Sequence, residues 1–236
     1  MQLVHIDGRS RFIAACGSIH LGMGALVAYG WMAGHPRLLT IVAAGPRMSC
    51  SSVMAFMCLG LGLISLAFQN RKLSSLIGAA VAALGFSTLI EHWAGRELAV
   101  VHAFMFDGLT VGTCTDGLMA INTAMCFWLA GIGLFLASHK TPTRILLMAQ
   151  VLLGAIVAAT GIVRIIGFAF QIDAAAGWGG TIGMALHTAV GFGLAGGILF
   201  YAAWLHTARR EARITGVLPL AVTSAGIPWQ FSWRCR

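Results

Sequence analysis

The chain has few charged side chains for its length. Of its 236 residues only 9% are charged, compared with about 25% in a typical soluble domain. A protein of 24.8 kDa needs polar surface to cover its core in water, and 15 basic and seven acidic side chains do not provide it. The scarcity of charge excludes a water-soluble enzyme and an intrinsically disordered chain.

Proline and lysine are missing from the long apolar segments. All five prolines lie outside them, so the paired helix breaks of many transporters are absent and transport is the weaker interpretation. No lysine lies inside them either, which excludes a retinal Schiff base. The six cysteines form no CxxC or CxxCH motif, so the sequence predicts no metal site. Since no nucleophile, base or metal arrangement is evident, we expect a non-catalytic protein.

What the sequence does contain is apolar residues in long runs. Hydrophobic residues make up 58% of the chain, and the mean hydropathy is +0.87. About 20 apolar residues are needed to cross a bilayer as a helix, and six segments meet that length. They are Phe12–Ala33, Ser49–Gln69, Leu73–Trp93, Leu118–Ser138, Arg144–Phe170 and Thr181–His206. The sequence therefore predicts an all-α polytopic membrane bundle of six transmembrane helices.

The basic residues predict the orientation of these spans. They occur in pairs between apolar runs, a pattern that sets topology and does not indicate nucleic-acid binding. With a cytoplasmic N-terminus, nine lysines and arginines face the cytoplasm and three face outward. We expect residues 1–215 to form one membrane domain in a bacterial cytoplasmic membrane, followed by a short apolar and aromatic tail at 216–236. Cys50 and Cys114 would both lie on the oxidising outer side and could pair.

Three of the predicted spans begin alike, which indicates an internal repeat. Met48, Met119 and Met184 each open a similar segment, with spacings of 71 and 65 residues. The repeats cover about 12–70, 71–140 and 141–208, so each is one helical hairpin. Within each, a hydroxyl residue, a phenylalanine and a glycine recur at intervals of four. These residues are Ser52, Phe56 and Gly60; Thr123, Phe127 and Gly131; and Thr188, Phe192 and Gly196.

Residues four apart lie on one helix face, so this stripe predicts a helix-packing seam, with a ligand crevice along it as the alternative. The segment Gly191–Gly196 also spells GxGxxG. A dinucleotide site needs a preceding strand, whereas this segment lies inside a predicted span. We therefore interpret these glycines as packing residues, with Gly193 and Gly197 forming a GxxxG pair.

Ionisable residues inside a bilayer are costly and suggest function. Arg164, Glu91, His92 and His187 all fall near the outer ends of predicted spans and form a candidate ligand site. It could sense pH through histidine, bind a metal, or hold an anion, a quinone or a haem, although the sequence requires no cofactor. The simpler interpretation is that Arg164 reaches the interface or pairs with Glu91. His20, alone within the first span, is expected to bond a neighbouring helix.

Three segments resemble the multi-span membrane modules that precede PAS, histidine-kinase or diguanylate-cyclase domains in bacteria. Asn122–Gly131 resembles their PNTALCFLLLG signature, with Ile121 in place of the proline. Met184–Ala189 is similar to their MALHTA segment, and Leu89–Gly95 to their LLEYLFG helix end. The resemblance covers roughly residues 12–215, and no output-domain motif follows Arg213.

The resemblance implies a sensory or signal-input module that acts on a cytoplasmic signalling partner. The alternative is an accessory or scaffold subunit of a larger respiratory or photosynthetic membrane complex. The lipid bilayer and other membrane proteins are expected partners in both cases, and a homodimer is compatible with both.

Overall fold

The computed structural model describes residues 8–40, 45–95, 119–172 and 183–211, and for 206–211 it describes the backbone alone. Its secondary structure in these ranges is helical, which confirms the predicted all-α fold for the described part of the chain. The helices are α1 (Gly8–Met32), α2 (Pro36–Leu39), α3 (Cys50–Ala67), α4 (Arg71–Ala94), α5 (Ile121–Ala137), α6 (Arg144–Ala169) and α7 (Leu186–Glu211).

Five of these helices are long and apolar enough to cross a membrane: α1, α3, α4, α6 and the segment Leu186–Leu205 of α7. The chain is thus a helical bundle of the multi-pass membrane type. The helix α5 is equally apolar in character but has 17 residues, one turn fewer than the predicted fourth span. The number of six spans stays a prediction.

Polar residues at the helix starts explain where several helices begin. The side chains of Ser49, Asn70 and Thr143 accept hydrogen bonds from backbone N–H groups three residues later, at 3.4, 3.3 and 3.3 Å. Such caps satisfy N–H groups that have no partner within the helix. At the end of α4, Gly95 adopts a left-handed conformation with φ 61°, which glycine tolerates without steric cost.

The helices pack as three close pairs. The helix α1 packs mainly against α3, α4 against α5, and α6 against α7. We call α3, α5 and α7 the inner helices, since they carry most of the fully buried side chains, and α1, α4 and α6 the outer helices. One face of each outer helix exposes large apolar side chains such as Leu76 and Ile145, as expected for contact with lipid.

Three phenylalanines meet where the inner helices converge. Phe56, Phe127 and Phe192 are fully buried, and their ring centroids are 4.7, 4.8 and 5.0 Å apart. Two of the contacts are edge-to-face, the geometry that aromatic pairs favour. About two turns further along, Gly62 of α3 faces Leu134 of α5, and Gly133 of α5 faces Leu199 of α7, so the inner helices run parallel with their starts at the same end of the bundle.

Each pair also has a crossing point made of glycines. The crossings pair Gly17 with Gly60, Gly78 with Gly131, and Gly154 with Gly196. A methyl group added at Gly17, Gly78 or Gly154 would lie 2.8 or 2.9 Å from the carbonyl oxygen of the facing glycine. At these glycine crossings the two backbones touch, so each inner helix is held at a defined height against its outer partner.

Candidate functional site

The residues just before the inner helices are anchored in the same way in all three pairs. The carbonyl oxygens of Met48, Met119 and Met184 each accept a hydrogen bond from a side chain of the outer partner. The donors are Trp31 Nε1 at 3.1 Å, His92 Nε2 at 2.8 Å and Arg164 Nε at 2.9 Å. Because a carbonyl only accepts, Nε2 of His92 carries its proton. We call these three bonds the methionine anchors.

Arg164, the strongest candidate from the sequence, lies in the third anchor. Its side chain is 5% exposed, and its guanidinium carbon lies 4.0 Å from the ring centroid of Phe168, one turn later in α6. The backbone carbonyl and the aromatic face offset part of the cost of burying the charge. Among the described residues, the ion pair of Arg164 with Glu91 that the sequence suggested is not found.

A polar layer follows the methionine anchors at the starts of the inner helices. We define it by the buried side chains three and four residues after each methionine: Ser51 and Ser52, Asn122 and Thr123, and His187 and Thr188. The layer contains the first residue of every seam triplet. Its members on α3 and α5 have local partners, since the hydroxyl of Ser49 contacts both serines and Oδ1 of Asn122 accepts from the N–H of Thr123.

His187 differs from the rest of this layer. Its side chain is 6% exposed, and neither ring nitrogen has a hydrogen-bond partner within the described ranges. An unpaired polar group in the interior costs about 1–3 kcal/mol. His187 also lies less than one turn after Met184, the residue that Arg164 anchors. The third pair therefore combines a buried guanidinium with an unpartnered imidazole.

The other two predicted site residues lie at the same end of the bundle in the second pair. Glu91 is 1% exposed and His92 is half-buried, and His92 is occupied by its anchor to Met119. The structure thus divides the four candidates between two helix pairs. In the described ranges no three histidine, cysteine or acidic side chains are grouped as metal ligands.

The remaining seam residues form the packing interior. Phe56, Phe127 and Phe192 make the triad, and Gly60, Gly131 and Gly196 make the crossings. Rings and backbones fill the space along the seam. A cavity of about 60 Å³ lies at the opposite end of the bundle and is lined by Arg9, Ser10, Ile13, Leu66, Ala67, Gln69, Arg71, Ala137, Ala202 and Leu205.

Two features that place these residues were not predicted. One is Trp31, whose anchor is equivalent to that of His92. The other is a set of outer-helix glycines, whose spacing of seven recurs in all three pairs. These glycine pairs are Gly17 and Gly24, Gly78 and Gly85, and Gly154 and Gly161.

Cys50 is disulfide-bonded, while Cys16, Cys58 and Cys126 are free. Cys114, the partner expected from the sequence, lies outside the described residues, so the identity of the pair stays a prediction. Cys50 opens α3, directly beside the polar layer.

The chemistry of this end suits a small ligand that carries oxygen atoms. Three parallel helices begin here, and the positive ends of their dipoles favour negative charge. Arg164 adds a cation, and His187 adds two nitrogens that can donate or accept.

Comparison of the chain with protein-family models, with curated proteins and with solved structures yields no match.

Proposed function

We propose that this chain is a non-catalytic sensory module of the bacterial cytoplasmic membrane, which receives a small ligand at its polar layer and acts on a cytoplasmic signalling partner. The observation that carries the proposal is His187, a buried imidazole without a hydrogen-bond partner in the described structure. Such a group lowers the stability of the protein. A ligand that forms hydrogen bonds with the His187 ring would remove this free-energy cost, and the gain would favour binding.

The phenylalanine triad connects this site to the cytoplasmic end of the bundle in the proposed module. His187 and Phe192 lie on the same helix, and Phe192 contacts Phe56 and Phe127. A close-packed interior transmits a displacement because it has no voids to absorb it. A shift at the start of α7 would therefore move all three inner helices together.

The threefold architecture belongs to the same proposal. We infer six transmembrane helices arranged as three repeated hairpins, at about 12–70, 71–140 and 141–208. One glycine crossing and one methionine anchor in each pair support this inference. A repeated hairpin explains why tryptophan, histidine and arginine side chains bind the carbonyl oxygen at equivalent positions in the three pairs.

The disulfide at Cys50 supports the proposed orientation. Disulfides persist in oxidising compartments, so the bonded state of Cys50 favours an extracytoplasmic location for the end that carries the polar layer. Arg9 and Arg71 lie at the opposite end, beside the cavity, as the positive-inside rule predicts for the cytoplasmic face.

The first experiment is extraction of the full chain from its native membrane in mild detergent, followed by sizing of the particle and identification of every bound protein and small molecule. We expect a particle of one or two copies with a bound small molecule and a kinase or cyclase partner. A large particle of many different subunits would contradict the sensory proposal and support an accessory subunit.

A panel of variants then connects the bound molecule to the polar layer. Arg164→Ala is expected to change function more than any other single substitution within the spans, and Glu91→Gln, His92→Phe and His187→Phe complete the panel. Val163→Ala is the matched control, since Val163 is 57% exposed toward lipid. If all four variants retain the small molecule and the partner, His187 of the polar layer and the charged and anchoring residues beside it do not form the receiving site.

An accessory or scaffold role is the second candidate, and an open stripe on α7 favours it. A methyl group added at Gly193 or Gly197 would contact nothing within 4 Å. The backbone of Gly193 packs against Gly161 of α6, whereas Gly197 is exposed, so a helix of another protein can approach α7 closely at Gly197. Gly197→Leu should split a large native particle if the stripe is an interface, and should leave a small sensory particle unchanged.

A further inference from the structure

His20 occupies a position that is apolar in the other two pairs. It lies three residues after Gly17, just as Val81 follows Gly78 and Val157 follows Gly154. All three side chains are buried, with exposures of 0%, 1% and 0%. Packing at this level therefore requires no polar group, and the imidazole of His20 marks the first pair as different.

His20, the polar exception among the three equivalent residues, lies at the junction between the first and third pairs. The helices α3 and α4 are joined by 68–70, and α5 and α6 by 138–143. The junction of α7 with α1 has no such short link, because these helices lie at opposite ends of the described chain. It is closed by contacts, among them Phe12 with Tyr201, whose ring centroids are 5.3 Å apart.

Both ring nitrogens of His20 face backbone carbonyl oxygens. Nδ1 lies 2.7 Å from the oxygen of Cys16, one turn earlier in α1, and Nε2 lies 2.9 Å from the oxygen of Gly191 in α7. A carbonyl oxygen can only accept, and a neutral imidazole has one N–H group. In a neutral ring, one nitrogen lone pair would therefore face an oxygen lone pair. Only the imidazolium donates at both positions.

The surroundings of His20 fit a cation held in place. The ring of Phe56 lies 5.8 Å away, with an interplanar angle of 32°, and its face is attractive to positive charge. Gly191 allows the ring of Phe56 to approach the backbone of α7 closely, since a methyl group at Gly191 would lie 2.6 Å from Cε1 of Phe56. Burial disfavours the charged imidazolium, whereas the two carbonyl oxygens that face its nitrogens favour it.

We propose that His20 is a proton-binding site that latches α1 to α7. The bound proton allows both hydrogen bonds and keeps the junction closed, and its release removes one bond and loosens the junction. The proton comes from the solvent, and no other bond is made or broken. This inference does not depend on the proposed sensory function or on the polar layer.

Few titratable groups face His20 from the helices packed against it. The thiol of Cys16 lies one turn away on α1, and α3 contains no charged residue. On α7, His187 precedes Gly191 by one turn, so it lies on the same face. His187 is the second group whose titration could affect the junction.

The test measures the full chain in detergent micelles with ¹⁵N-labelled histidine rings. His20→Val assigns the His20 signals and substitutes the residue found at positions 81 and 157. We expect both ring nitrogens of His20 to carry protons in the closed state. The thermal midpoint of wild type should exceed that of His20→Val by about 4 °C at low pH, with most of that difference lost at high pH.

Two further variants serve as controls. His20→Gln presents two N–H donors that do not titrate, so wild type should lose stability relative to it as the pH rises. This comparison also carries the test if His20→Val does not fold. His139→Gln removes an exposed histidine and should follow wild type at both pH values. Repeating the series with His187→Phe separates the two buried histidines.

Two results would overturn the proposal. One is a His20 ring that keeps one protonated and one unprotonated nitrogen throughout the titration. The other is a difference in thermal midpoint between wild type and His20→Val that is equal at both pH values, since a fixed neutral hydrogen bond would give that result.

Discussion

The phenylalanine triad and the polar layer lie on the same three helices but are built from opposite chemistry. Around the triad, rings and glycine backbones fill the space. At the helix starts, the first N–H groups have no partner within the helix, so polar side chains collect there. Ser49 and Asn122 satisfy such groups, and Arg164 binds a carbonyl. The ring of His187 bonds to neither kind of backbone group in the described structure. It is therefore suited to a ligand, whereas the other side chains stabilise the fold.

The largest effect is expected from breaking the triad. Phe127→Ala leaves a cavity where three buried rings meet, and such truncations cost about 3–5 kcal/mol. The measurement is the free energy of unfolding in detergent. Phe135→Ala on the same helix is the control, because Phe135 is 39% exposed. Equal losses for the two variants would show that the triad is not the core of the bundle.

A smaller loss is expected at a glycine crossing. An alanine at Gly196 would press its methyl group against the backbone of Gly154 and Ala158, whereas one at Gly197 would meet nothing within 4 Å. Overpacking of this kind costs about 1–3 kcal/mol. Thermal midpoints of Gly196→Ala and Gly197→Ala test this pair of neighbours. The predicted crossing is wrong if Gly197→Ala is the less stable variant.

Losses that overlap those at the crossings, or are smaller, are expected at the methionine anchors, in an order set by charge. Arg164→Met removes a charged donor, and we expect a loss of about 1.5–3 kcal/mol. Trp31→Phe removes a neutral donor at 3.1 Å, so its loss should be about 0.5–1.5 kcal/mol. Chemical unfolding of both variants measures the difference, and a larger loss for Trp31→Phe would reverse this order.

The smallest effect on stability, and a large one on function, is expected at His187. Since both ring nitrogens lack partners in the described structure, replacing the ring by the similarly shaped apolar ring of phenylalanine removes unpaired polar atoms. His187→Phe should therefore be neutral or slightly stabilising while losing the bound small molecule. A clear loss of stability would mean that the ring has a structural partner, and the comparison of the two regions would fail.

Several parts of the fold and site were predictable because they depend on neighbouring residues. The apolar runs predicted the helices, and Asn70 and Thr143 begin two of them. The recurrence of phenylalanine and glycine at intervals of four identified residues that now form the triad and the crossings. The predicted fourth span was less accurate, since the helix there starts at Ile121.

The division of the candidate site could not be predicted from the sequence. Arg164 and Glu91 fall at similar depths in their spans, and proximity in depth suggested an ion pair. Whether two such side chains meet depends on how each helix is rotated and on which helix it packs against. The methionine anchors direct Arg164 toward Met184 and His92 toward Met119.

The sequence by itself determined that this is an all-α protein with long apolar helices, since hydropathy and helix capping are properties of short segments. The tertiary structure alone decided which polar groups are satisfied. Nε2 of His20 and the oxygen of Gly191 are 171 residues apart in the chain, and the bond between them depends on how α1 and α7 are placed by the whole bundle. Hydrogen bonds between helices need atoms within about 3 Å, and only the packed backbones specify positions at that scale.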